Sequence, residues 1–140
     1  MISDVGQAIT TKYNESPAGS ALRAVLTGGL WFTQAKDDVA FPYGVFKWVG
    51  SNIDEIAGTR LNGLETATIT VHLFSNEDDG GTEIFDITQK FIALFDWSVL
   101  TYPEGSELSH ISFSRISIVN HGIVDKIWDM ELDYECQYSH

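Results

Sequence analysis

Four histidines, His72, His110, His121 and His140, stand among twenty aspartates and glutamates in a chain of 140 residues. That mixture could hold a metal, but only at ligand spacings such as two histidines one helical turn apart or paired thiolates. The chain has no H-x-x-x-H or H-E-x-x-H spacing, and its one cysteine, Cys136, cannot start a zinc cluster. His72 and His110 fit better as strand residues, His121 as a turn residue and His140 as part of a terminus. No metal and no other cofactor is expected. Nucleophilic catalysis lacks its usual signature, since no G-x-S-x-G is present, and Cys136 falls on the apolar side of an alternating segment, where a buried thiol is inert. The nearest glycine-rich cradle, Asp78-Asp79-Gly80-Gly81, opens with two carboxylates that would repel a phosphate. Without convergent polar pairs, the chain is not expected to be an enzyme.

Charge is the strongest chemical signal. Eight Lys and Arg face twenty Asp and Glu, a net charge of -12. Binding nucleic acid through its phosphates needs a basic footprint that is absent, and anionic membranes are disfavoured for the same reason. No apolar run approaches the roughly 20 residues of a membrane span. The first residues, Met1-Ile2-Ser3-Asp4, lack the basic and apolar regions of a signal peptide. A single cysteine excludes an intramolecular disulfide and fits a reducing compartment. With 44% hydrophobic and 12% aromatic residues, a packed core is within reach. The expectation is one soluble domain spanning 1–140, made in the cytoplasm.

The elements follow from periodicity. Ser3 to Tyr13 reads as a short helix with Val5, Ala8, Ile9 and Tyr13 on one side, and Ser20 to Leu26 as one further turn or two. Leu30 to Gln34 and Tyr43 to Val49 are aromatic, β-branched strands. Gly58 to Gly63 suits a loop or hairpin. Leu64 to Phe74 alternates as a half-buried strand. Asn76 to Gly81 is an acidic loop expected to be mobile, and Thr82 to Trp97 is the long helix, capped by Thr82. A turn at Tyr102-Pro103-Glu104-Gly105 precedes two long strands, Leu108 to Val119 and Val124 to Tyr138, joined by Asn120-His121-Gly122. A parity change between Phe113 and Ile116 predicts a bulge near Ser114-Arg115. The fold class is α+β: an antiparallel β-sheet of four to five strands packed against one long helix and a short N-terminal helix.

In that layout, Phe41-Pro42-Tyr43-Gly44-Val45-Phe46 resembles the Leu-Pro-Tyr-x-x-aromatic strand start of the tail-completion, or tail-terminator, proteins of long-tailed phages. Thr68-Ile69-Thr70-Val71-His72-Leu73-Phe74 with its following loop, the helix Glu83 to Trp97, and the alternating Trp128 to Tyr134 are similar to that family's later elements. The loop Asn76 to Gly81 is longer and more acidic than the family's, and the N-terminal helical region is longer. The resemblance implies a structural virion protein at the head-proximal end of the tail, assembled in the host cytoplasm. Six copies would form a ring that terminates the tail tube and joins it to the head. The implied partners are further copies of the chain, the tail tube protein, the head-tail connector, and DNA passing through without specific binding; no membrane is implied. The alternative is a small α+β ligand binder with an apolar pocket between sheet and helix.

Three sets of residues are candidates within this picture. Asp129, Glu131, Asp133 and Glu135 alternate on one strand face about 7 Å apart, so their charges repel unless screened. They form either an ordinary solvated face or the lumen of a ring, where negative charge keeps DNA from adhering. Phe46 and Trp48 have the parity opposite to Tyr43 and Val45, which suggests that both faces of that strand are covered, the second by a neighbouring subunit. Glu77, Asp78 and Asp79 form a candidate assembly loop.

Overall fold

In the computed structural model, which describes residues 2–56, 59–101 and 110–139, the chain runs through nine elements. These are α1 (Ile2–Asn14), α2 (Ser20–Val25), β1 (Leu30–Phe32), β2 (Tyr43–Ile56), β3 (Thr59–Ser75), α3 (Thr82–Phe95), β4 (Ser98–Val99), β5 (His110–Val124) and β6 (Ile127–Ser139). The strands make one sheet in the order β1-β2-β3-β6-β5-β4.

This corrects the expected four to five antiparallel strands against one long helix. The sheet has six strands, is mixed, and curls into a half-barrel beside three short helices. Two features account for the difference. β1 pairs parallel with β2, Leu30 opposite Gly44 and Phe32 opposite Phe46, because residues 33–42 carry the chain back to the same end of the sheet. Two residues after α3 then pair with β5 as β4, which periodicity cannot detect. β2 and β3 also run on past the expected strands, so Thr59 to Gly63 is strand; the turn between them, like Tyr102-Pro103-Glu104-Gly105 and His140, lies outside the described residues.

The core lies between the helices and one sheet face. The helices contribute Val5, Ile9, Leu22, Ile84, Ile87 and Phe91, spaced at helical intervals. The sheet contributes Phe46, the odd positions Ala67 to Leu73 of β3, and the even positions Met130 to Tyr138 of β6. Phe91, Phe95, Phe113 and Tyr134 stack in succession through its centre, with centroids 4.4 to 5.7 Å apart from Phe91 to Phe95 to Phe113 to Tyr134.

β6 is central, flanked by β3 and β5 along nearly its whole length. The β5–β6 turn is Asp125-Lys126, both left-handed at φ 51° and 67°, the geometry that two-residue hairpins require. Asn120-His121-Gly122 is therefore not the turn. It sits inside β5 as an irregularity between Asn120 and Gly122, with Gly122 at φ 74°. The bulge expected near Ser114-Arg115 falls between Arg115 and Ser117 and places Ile118 opposite Leu132 on the core face.

Helix α3 starts differently from expectation. Its N-cap is Gly81, left-handed at φ 94°, and Thr82 makes no cap bond. Asp79 serves instead, its Oδ2 accepting the Glu83 N–H at 3.0 Å and its Oδ1 the Gly81 N–H at 3.1 Å.

Candidate functional site

The sheet face turned away from the helices carries the acidic residues. Asp129, Glu131, Asp133 and Glu135 all lie on it, because β6 buries its even positions. All four are half-buried, and Asp129, Glu131 and Asp133 are bonded across the strands. His72 Nδ1 lies 2.8 Å from Asp129 Oδ1, and its Nε2 3.5 Å from Glu131 Oε1. His121 Nε2 lies 3.1 Å from the same Glu131 oxygen. Thr70 and Ser117 donate hydroxyl hydrogen bonds to the two oxygens of Asp133, at 2.8 and 3.1 Å. Imidazoles and hydroxyls from β3 and β5 thus offset the repulsion expected along β6. His121 reaches this face from the β5 irregularity, not from a turn.

Aromatic rings continue the same face toward β2. Phe41, Tyr43, Phe74, His72 and His121 follow one another with centroids 5.2, 5.1, 5.9 and 6.0 Å apart. Residues from the β1–β2 connection border this end, where a groove of ≈ 320 Å³ is lined by Lys36, Tyr43, Lys47, His72 and Phe74, among others. The face therefore passes from a carboxylate-rich half to an aromatic half with two lysines.

Phe46 and Trp48 are placed otherwise than expected. Both point to the helix-covered face. Phe46 is fully buried and stacks on Phe32 at 5.0 Å, so it belongs to the core of the single chain and is out of a neighbour's reach. Trp48 is half-buried, packed on that core with its ring 6.1 Å from Tyr138. On the opposite face, Tyr43 and Val45 are half-buried and line an open groove together with Lys36 and Val39 of the chain's own β1–β2 connection.

The loop holding Glu77, Asp78 and Asp79 is tied down at both ends. Trp128 Nε1 donates to the Glu77 carbonyl at 3.2 Å, and the Asp79 carboxylate caps α3. Between the loop and the β5–β6 turn lies a groove of ≈ 340 Å³ lined by Asn76, Glu77, Asp78, Ile123 and Lys126.

One constellation escaped the sequence. Asp96, just past α3, accepts a hydrogen bond from Tyr134 OH at 2.7 Å and one from Arg115 Nε at 2.8 Å. The Asp96 side chain is only 11% exposed, whereas Arg115 reaches it from a partly exposed position. Burial first, and then the Asp96 carboxylate, push the Tyr134 phenol above its ordinary range. Burial alone pushes the Cys136 thiol up to about 12, which disfavours the thiolate that nucleophilic attack needs. Among the described residues, no group of three or more His, Cys, Asp and Glu is placed to hold a metal ion, and no helix is long and apolar enough to cross a membrane.

What the surface offers in quantity is apolar area and open strand edge. Ile116, Ile118, Val119, Ile123 and Val124 are exposed along the distal half of β5, at 38% to 67%. Among the described residues, β4 pairs with β5 only at Ser112 and Phe113, and β1 with β2 only at Gly44 to Phe46. Most of β2 and β5 thus presents unpaired backbone at the two margins of the sheet.

No family model matches the chain, and no curated protein does. Solved structures do. A chain of the virion of a native gene transfer agent particle superposes over 100% of this chain and 95% of its own length, with a TM-score of 0.67 at 8% identity. A second solved chain, known by a serial designation only, matches over 95% of this chain and 94% of its own length, with a TM-score of 0.57 at 13% identity. At these identities the likeness is one of fold.

Proposed function

We propose that this chain is a structural protein of a phage-like virion, and that it forms a ring at the head-proximal end of the tail tube, ending tail growth and joining tail to head. The observation that carries the reading is the full-length fold match to a gene transfer agent virion chain. Open edges and exposed apolar residues suit an assembly protein. Its partners in this reading are copies of itself, six to a ring, together with the tube protein and the head connector. The carboxylates of β6 line the passage, and DNA slides past without specific contacts.

Deleting the gene from the particle that encodes it tests the proposal. Tails of uncontrolled length and heads without tails are the expected products, and labelled protein should sit at the junction. Particles assembled normally without the chain would reject it.

A further inference from the structure

We infer that copies of this chain join edge to edge, the free part of β5 in one copy pairing antiparallel with the free part of β2 in the next, so that the sheets run on continuously around the ring. This rests on the ring reading above and names the surfaces that would make it.

The backbone supplies the motive. β5 is unpaired on its outer side from Ser114 to Val124, and β2 on its outer side from Lys47 to Ile56, among the described residues. Two open edges of nearly equal length, on opposite margins of one sheet, form a heterologous pair that can propagate from copy to copy. Proteins that stay monomeric guard such edges with lysine or proline. Ser114 to Val124 contains neither, and its one charged side chain, Arg115, is turned back to Asp96. Its exposed apolar residues are Ile116, Ile118, Val119, Ile123 and Val124, a set that water covers poorly and a neighbouring strand would cover well. On the other margin, Val49 is 61% exposed.

The register makes the pairing close into a ring of useful size. Ile118, near the middle of the free β5 edge, stands opposite Leu132, then Val71, then Phe46 across the sheet. Ser51, the middle of the free β2 edge, stands opposite Ala67, four residues along β3 from Val71 and on the same face. Setting Ser51 opposite Ile118, as the pleat requires of residues on one face, staggers each copy by about 13 Å, at about 3.3 Å per residue. Each copy adds four strands, β2, β3, β6 and β5, or about 19 Å of width at about 4.8 Å per strand. A stagger of that size over that width tilts the strands by about 35°, inside the range at which closed barrels form. With six copies the circumference is about 140 Å and the backbone diameter about 45 Å, which leaves an open channel inside the side chains. The helices cover one face of this wall, and the face bearing Asp129, Glu131, Asp133 and Glu135 is left for the inside.

The test is a cross-link in the full chain. Ser51 and Ile118 both lie on the helix-covered face, level with Ala67 and Leu132. A Ser51→Cys/Ile118→Cys double variant, oxidised mildly, should give a denaturation-resistant ladder of linked chains that ends at the ring, while each single variant stays monomeric on the gel. Ile118→Lys, which puts a charge on the edge at a position already 38% exposed, should weaken self-association at least tenfold while lowering the melting temperature of the monomer only slightly. Rings that assemble without cross-linking, and that tolerate Ile118→Lys, would overturn edge pairing and spare the ring. A chain that remains monomeric up to its solubility limit would also overturn it. A cross-linked ladder from a chain whose deletion leaves particles normal would uphold edge pairing and reject the tail assignment.

Discussion

Replacing Asp96 by alanine removes one carboxylate and strands two donors. Tyr134 is fully buried, so its hydroxyl, which donates to Asp96 Oδ1 at 2.7 Å, would be left without an acceptor. A buried donor so orphaned costs about 1–3 kcal/mol. Arg115 is 32% exposed, and water can take over much of its solvation, which holds the lost ion pair to about 0.5–1 kcal/mol. The sum is about 1.5–4 kcal/mol, a fall in melting temperature of about 5–14 °C for a domain of this size. Asp96→Asn keeps an acceptor for the phenol and should lose about half as much. Urea unfolding of Asp96→Ala, Tyr134→Phe and the double variant gives the coupling directly. If the reasoning holds, Tyr134→Phe costs stability in the parent and restores some in Asp96→Ala, because it removes the stranded donor. A loss below about 1 kcal/mol for Asp96→Ala, or strict additivity of the pair, would refute it.

Alkali should unfold the chain early. Burial holds the Cys136 thiol up to about 12, and burial with Asp96 or Glu65 raises the Tyr134 and Tyr138 phenols, so above its unfolded value each group releases in the unfolded chain a proton that the folded chain keeps. Stability is then full below about pH 8.5 and falls by about 1.4 kcal/mol per pH unit for the thiol, with the phenols joining near pH 10; Cys136→Val should delay the onset of loss in denaturant midpoints to the phenol range. Asp79→Ala, which removes the cap of α3, should cost about 1 kcal/mol by urea unfolding and speed amide exchange in the first turn of that helix; unchanged exchange there would deny Asp79 the role. Glu131→Lys with Asp133→Lys changes the net charge of each chain from −12 by +4, to −8. In the proposed ring this change should bring salt-dependent affinity for duplex DNA and slower delivery, and delivery at the normal rate would make this face an ordinary solvated surface.

Legibility in the sequence followed the range over which each signal acts. β6 could be read residue by residue, since Trp128 to Tyr138 alternate without interruption and the partners on both sides only reinforce that period. The same alternation put the four carboxylates on one face. The bulge in β5 was visible as a parity change for the same reason. The hairpin turn was not, because Asp125-Lys126 contains no glycine while Asn120-His121-Gly122, five residues earlier, offers the commoner left-handed residues. Nor could the face of Phe46 be told from that of Tyr43. β2 is apolar on both sides, and only the fold of residues 33–42 beside Tyr43 and Val45 decides which side meets the helices. The Asp96–Arg115–Tyr134 contacts span 19 and 38 residues, and nothing local marks them.

The central place of β6 has a kinetic side. β3 and β5 are joined to one sheet only through it, and its pairs with β3 link residues as far apart as Leu64 and Ser139. The β5–β6 pairs are local and can form around the Asp125-Lys126 turn on the microsecond scale of a hairpin. The β3–β6 pairs must wait for the closure of a loop that contains α3, β4 and β5, whose entropy is spent before any of those contacts is made. Folding is therefore governed by the docking of a preformed hairpin onto β3, and the chain belongs with the slow, high-contact-order domains whose passage takes milliseconds to seconds. Until that docking is complete, the edge of β3 and the inner edge of β6 both stand open, two more strand edges than the finished sheet presents.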